Sequence, residues 1–186
     1  MLTVSFQRFE EVQRLYDPKV IQRALNTTIS RTAMQARTEV SKAIREVYNV
    51  KARDIAQVVT LRTRRQNDTT FKVLEYRGGP LPLDRFGARA RNVRTERGRR
   101  VGVTAQVRKD RPRRLVRGAF KLRGREGPSM QRTGDGRLPI KRIFRLSVPQ
   151  MINEHSGIVP RVQDFIERAA NIELNRNLRF FESRAR

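Results

Sequence analysis

The chain has 186 residues, with 42 Lys and Arg against 18 Asp and Glu and a formal net charge of +24. Leu, Ile, Val and Phe make up about a quarter of it, above the roughly one fifth typical of disordered chains, so one domain with a core is expected. The absence of Cys excludes a disulfide framework, a zinc ribbon and a thiol nucleophile.

Phe6, Phe9, Val12 and Leu15 recur at helical spacing, predicting a short amphipathic helix in Ser5–Tyr16. Asp17-Pro18 is a helix-start signal, with Asp17 as N-cap and Pro18 at the first helical position. Beyond it neither Gly nor Pro interrupts the chain until after Tyr48. Ile21, Leu25, Thr28, Thr32, Ala36, Val40, Ala43 and Val47 follow steps of three and four. This predicts one long helix whose narrow apolar face holds many small residues, suited to close packing. Asn49 ends it, and Lys51–Val59 reads as a short second helix.

The period then changes. Thr69–Tyr76 alternates, and Val101–Arg108 alternates more cleanly, with Val101, Val103, Ala105 and Val107 on one side. Leu115–Lys121 and Ser129–Arg132 are shorter strand candidates. Ile140–Leu146 sets Ile140, Arg142, Phe144 and Leu146 against Lys141, Ile143 and Arg145. Turn residues separate these runs, among them Gly78-Gly79-Pro80, Gly127-Pro128 and Gly134-Asp135-Gly136. From Pro160 the helical period returns through Val162, Phe165, Ile166, Ala169, Ile172 and Leu174 toward Phe181.

The expected fold is therefore α+β: a long N-terminal helix packed on a small antiparallel sheet or sandwich of about four to six strands, with a C-terminal helix. One domain, 1–186, is expected: 1–59 helical, 69–148 β-rich, and 160–182 the C-terminal helix. Its predicted core includes Ile21, Leu25, Val40, Val47, Val101, Val103, Val107, Ile140, Phe144, Phe165 and Ile166.

The charge is not spread evenly. Of the basic residues 35 are Arg and 7 are Lys, a bias that points to phosphate, carboxylate or aromatic partners accepting a planar fork of donors. The insertion 85–125 alone holds 14 Arg and 2 Lys against Glu96 and Asp110. Within it Asn92–Arg100 is poor in apolar residues and reads as an exposed loop between two strands. The candidate contacts for a polyanion or partner are Arg85, Arg89, Arg91, Arg94, Arg97, Arg99, Arg100, Arg108, Arg111, Arg113 and Arg114. A plain solvated loop is the bland alternative. No helix-turn-helix, basic zipper or zinc module accompanies the block, so base reading is not expected.

Catalytic constellations are missing from the pattern. His155 is the only histidine and reads as a loop residue, which removes a triad or a His-rich metal site. Asp84, Glu96, Asp110, Glu126 and Asp135 are flanked by Arg or Gly and read as charge partners. The glycine clusters lack the GxxxxGK[ST] arrangement of a phosphate loop. No enzyme activity, cofactor or metal is expected. No apolar run approaches the roughly 18 residues of a membrane span, and Met1–Glu11 lacks the pattern of a secretory signal.

Several segments resemble a known family. The run RALNTTISRTAMQARTEVSKAIREVYNVKARDI, Arg23–Ile55, resembles the N-terminal helix and following basic turn of the bacteriophage minor tail protein Z family. LPLDRFGARA, Leu81–Ala90, resembles its central segment, and Gly118–Arg132 with Arg137–Ile152 resemble the later succession. The resemblance spans roughly residues 20–152 in order. It implies a structural virion protein, a minor tail or tail completion component at the head-proximal end of a long-tailed phage tail. It further implies a neck ring, a hexamer of identical subunits, that joins tail to head and lets DNA pass. Implied partners are the tail terminator, the connector or adaptor and the tail tube, with non-specific contact to genomic DNA and none to membrane. The implied location is the virion, after synthesis in the host cytoplasm. From the residues alone, a sequence-independent nucleic-acid-binding protein remains the alternative, and DNA and acidic protein surfaces stay open as targets of the Arg block.

Overall fold

The structure is a computed structural model that describes residues 9–66, 69–95, 98–122 and 126–184. The element order is α1 (Phe9–Leu15), α2 (Pro18–Val47), α3 (Ala52–Ala56), β1 (Val59–Gln66), β2 (Thr69–Tyr76), a 3-10 turn (Leu83–Phe86), β3 (Arg89–Thr95) and β4 (Gly98–Ala105). There follow β5 (Arg114–Val116), β6 (Ala119–Lys121), β7 (Ser129–Arg132), β8 (Ile140–Arg142), α4 (Val148–Glu154) and α5 (Ile158–Ser183). The fold is α+β, with a long N-terminal helix, small antiparallel sheets and a C-terminal helix. It divides into two compact units.

The first unit comprises the chain up to Ala43, Val59–Tyr76 and the chain from Ile152. Asp17 starts α2 as its sequence predicts: its Oδ1 accepts from Lys19 N at 2.7 Å, satisfying a free helix-end donor. Ile21 and Ala24 of α2 bury against Leu174 and Leu178 of α5, flanked by Val12, Tyr16, Leu25 and Phe181. Each of the two leucines contributes about 1.5–3 kcal/mol by leaving water. The helix pair carries polar residues too. Asn177 reaches Thr28, Gln35 and Arg31 reach Glu173, and Arg161 reaches Glu39 at 2.9 Å. The antiparallel β1–β2 hairpin completes this unit, in register from Val59↔Tyr76 to Gln66↔Thr69.

The second unit comprises Ile44–Val58 and Arg77–Met151. Its core gathers Leu83, Val103, Ala105, Ala119 and Ile143, with Ala88 and Val116 packed beside them. Two three-stranded antiparallel sheets surround it, ordered β3-β4-β5 and β6-β7-β8. Among the described residues the strands thus form three small antiparallel sheets. Residue Gly87, at φ 63°, leaves the 3-10 turn in the left-handed region that suits glycine.

Four local expectations are corrected. Asn92–Arg100 is not a loop between strands: its described residues are the arms of the β3–β4 hairpin, whose ladder covers their backbone polar groups. Leu115–Lys121 is two strands, β5 and β6, in different sheets, split at Gly118 with φ 67°. Ile140–Leu146 forms a strand only to Arg142, because the chain then changes partner, Arg145 N donating to Leu81 O and Leu83 N to Ile143 O. Phe144 is consequently not core; it is 50% exposed, while Ile143, on the opposite parity, fills the space near Leu83. Among the other predicted core positions, Ile21, Val40, Val103 and Ile166 are buried, and Leu25, Val47, Val107, Ile140 and Phe165 are half-buried. The side chains of Phe6, Phe9 and Val101 lie outside the described residues.

Candidate polyanion-contact surface

Antiparallel register decides which face of the β3–β4–β5 sheet each residue occupies. The row Ala90–Val103–Val116 is turned to the core, with Val103 fully buried. The neighbouring row is Arg89–Thr104–Leu115, and Arg91 lies two residues along β3 on the same side as Arg89. Arg89 and Arg91 are exposed, as are Arg114 on β5 and Arg111 in the preceding loop. No carboxylate among the described residues pairs with Arg89, Arg91 or Arg114, while Arg111 adds its charge to the hold that Arg108 has on the adjacent Asp110.

Three other arginines of the block are held inside the unit. Arg85 Nη1 stands 2.9 Å from Oδ1 of Asp54, whose side chain is only 2% exposed. The approach is out of line for a hydrogen bond, so both Asp54 oxygens rely on the charge of Arg85 and of Arg53, at 3.9 Å. Arg108 grips Asp110 through Nε at 3.0 Å and Nη2 at 2.7 Å. That grip holds the Asp110 carboxyl below its usual range. Arg113 Nη1 donates to the carbonyls of Gly87 at 2.6 Å and Thr104 at 3.2 Å, joining the 3-10 turn to β4. Arg97 lies outside the described residues, as do the side chains of Arg94, Arg99 and Arg100; the backbone register sets Arg94 opposite Arg99 and Val93 opposite Arg100.

The strongest polar cluster lies elsewhere, and of its members the sequence marks only Asp84, as a charge partner. Asp84 Oδ1 accepts from Lys121 Nζ and Ser129 Oγ, each at 2.6 Å, and from Ser129 N at 3.1 Å. Arg142 approaches Oδ2 at 3.5 Å. Burial alone pushes the Asp84 carboxyl up, but the Lys121 and Ser129 hydrogen bonds outweigh it and hold the group below its ordinary value. Ser129 is fully buried, so its hydroxyl serves the carboxylate and faces no substrate. A signal existed in the alternation of Lys121 and Ser129 with apolar neighbours, but the partner is some 40 residues upstream (Asp84 to Ser129 is 45 apart).

His155 sits between α4 and α5 with Nδ1 buried and unpartnered. Among the described residues no group of three or more His, Asp or Glu could hold a metal ion, and no helix is long and apolar enough to cross a membrane. A shallow depression lined by Gln13, Pro18, Ile21, Gln22 and Leu25 has no nucleophile or acid–base pair. No protein-family model, curated protein or solved structure matches the chain.

Proposed function

We propose that the protein is a structural virion component, a tail-completion protein at the head-proximal end of a phage tail. In this reading it is a subunit of the neck ring that joins tail to head, alongside terminator, connector and tube proteins. The observation that supports it most is the set of exposed guanidiniums without described acidic partners, Arg89, Arg91 and Arg114, on one small sheet. A ring around a DNA channel must let DNA pass, so it cannot hold bases at one register. Arginine contacts to phosphate carry no sequence information and permit sliding. The ordered resemblance over roughly residues 20–152 supplies the virion context.

Cryo-electron microscopy of an intact particle tests this reading. The chain should occupy a ring at the tail–head joint with the β3–β5 sheet toward DNA or an acidic neighbour. Finding it outside the particle would overturn the reading. The same guanidiniums also favour a second reading, a stand-alone sequence-independent nucleic-acid binder. That reading requires tight binding to free duplex and no defect in tail joining when these arginines are replaced.

A further inference from the structure

The sheet β6–β7–β8 has one buried face and one open face. On the buried side Ala119 and Ser129 are 5% and 0% exposed, and Lys121 turns inward to Asp84. The register Phe120↔Met130, Met130↔Arg142 and Arg132↔Ile140 places five other residues on the opposite side. There Phe120, Met130 and Ile140 are half-buried, while Arg132 and Arg142 are exposed.

Two features make this face unlike an ordinary solvated surface. Arg132 lies over the Phe120 ring, its guanidinium carbon 5.4 Å from the centroid, across the diagonal of a strand pair. The stack fixes the guanidinium and leaves its N–H edges available. The charge is also uncompensated. No carboxylate among the described residues pairs with Arg132, and Arg142 shares Asp84 with Lys121, at 3.5 Å against 2.6 Å. Two cations, Lys121 and Arg142, therefore divide one anion, and Arg132 has none.

We propose that this open face docks an acidic, amphipathic, extended segment of a partner protein. Its apolar side chains cover Met130 and Ile140, and its carboxylates take Arg132 and Arg142. Aromatic residues, Met and Arg are the side chains enriched where protein partners meet. An extended segment fits because β8 is an edge strand of its sheet, and strand addition there presents alternate side chains to this face. Nucleic acid fits less well. The Phe120 ring is already covered by Arg132, leaving no bare platform for a base, and the apolar centre would have nothing to cover it. The inference is independent of polyanion contact at β3–β5, which involves a different sheet.

The test uses the full chain and a fluorescent peptide of about eight alternating Leu and Glu residues, long enough to span the edge strand. Controls are the matching Leu/Lys peptide and an oligodeoxythymidine of about 20 nucleotides, which spans at least one typical single-strand site. The acidic peptide should bind and the Leu/Lys peptide should not. Arg132→Gln should weaken the acidic peptide about tenfold, and Arg132→Lys, which keeps the charge but loses the planar stack, should weaken it less. Arg176→Gln with Arg179→Gln, exposed on α5 and in neither proposed surface, should leave it unchanged. Failure of the acidic peptide to bind overturns the proposal. So does equal weakening by the Arg176 and Arg179 substitutions, which would mean charge without a site. Oligonucleotide binding that depends on Arg132 while the peptide is indifferent to it also overturns the proposal, in favour of nucleic acid. Arg132→Gln must melt at the wild-type temperature; if it does not, Arg132→Lys carries the test.

Discussion

Asn177 of α5 donates its side-chain amide to Thr28 Oγ1 of α2 at 2.9 Å, and both residues are buried. The carbonyl of the same amide accepts from Arg31 at 3.2 Å, and Arg31 and Gln35 continue the contact to Glu173. A seam of Ala and Leu alone would let two long helices slide by a turn at little cost. Buried polar groups resist this, because a shifted register leaves donors and acceptors dry and unpaired. Thr28, in the small-residue stripe of α2, therefore sets register as well as permitting close approach.

Replacing Asn177 with Leu should lower stability by about 1–3 kcal/mol, since Thr28 and Arg31 lose their partner. Adding Thr28→Val should cost less than the sum of the two single changes, with a coupling of about 0.5–3 kcal/mol. Urea unfolding of the four proteins measures it. Strict additivity would mean that the two side chains do not act as a pair.

Arg85 and Asp54 predict a different kind of loss. The Asp54 side chain is 2% exposed and depends on the Arg85 charge 2.9 Å away. Arg85→Gln should destabilise by about 1–3 kcal/mol, below the full cost of breaking a buried pair because Arg85 itself is partly solvated. Asp54→Asn should recover part of that loss in the Arg85→Gln background. An Arg85→Gln protein as stable as Arg89→Gln would refute this role.

The placement of Arg85 also marks the limit of what the chain shows before folding. Asp17-Pro18 and the unbroken three-and-four spacing make α2 legible, because cap and period are local. β1 is not legible: VTLRTRRQ is rich in Arg and finds its identity only by pairing with β2. The β3–β4 arms were hidden for the same reason, Asn92–Arg100 having almost no apolar alternation. The density of arginine is visible in sequence, but its division of labour is not. Arg85 answers to a carboxylate 31 positions upstream (85 against 54), and Arg113 to the carbonyls of Gly87 and Thr104. The Phe120–Arg132 stack spans a strand pair and has no local signal at all.

Acid should act on Asp84 in a defined direction. Its folded-state pKa lies below the ordinary 3.8, since the Lys121 and Ser129 hydrogen bonds outweigh burial. A depressed carboxyl stabilises fully above its unfolded pKa and loses that contribution as pH falls through the folded one. Wild type should therefore exceed Asp84→Asn in stability near neutrality, and the gap should close as pH falls from the ordinary 3.8 through the lower folded-state value. Denaturation at a series of pH values checks this. A gap that stays constant over that range would show that the Asp84 charge is not responsible.

The exposed and internal arginines should separate cleanly by salt dependence. Arg89, Arg91 and Arg114 are exposed and have no described acidic partner, and Arg111 is exposed beside an Asp110 that Arg108 already grips, so changing all four to Gln should leave the thermal midpoint near wild type. Arg113→Gln should lower it, because two backbone carbonyls lose their donor. On duplex DNA the fourfold variant should bind more weakly at low salt. The slope of log affinity against log salt should flatten by about 0.9 for each phosphate contact removed. The loss should be alike for unrelated sequences, since phosphate contacts position without reading bases. An unchanged slope together with failed tail joining would assign these arginines to an acidic protein neighbour. Normal binding and normal infectious particles would show that they are only a solvated face.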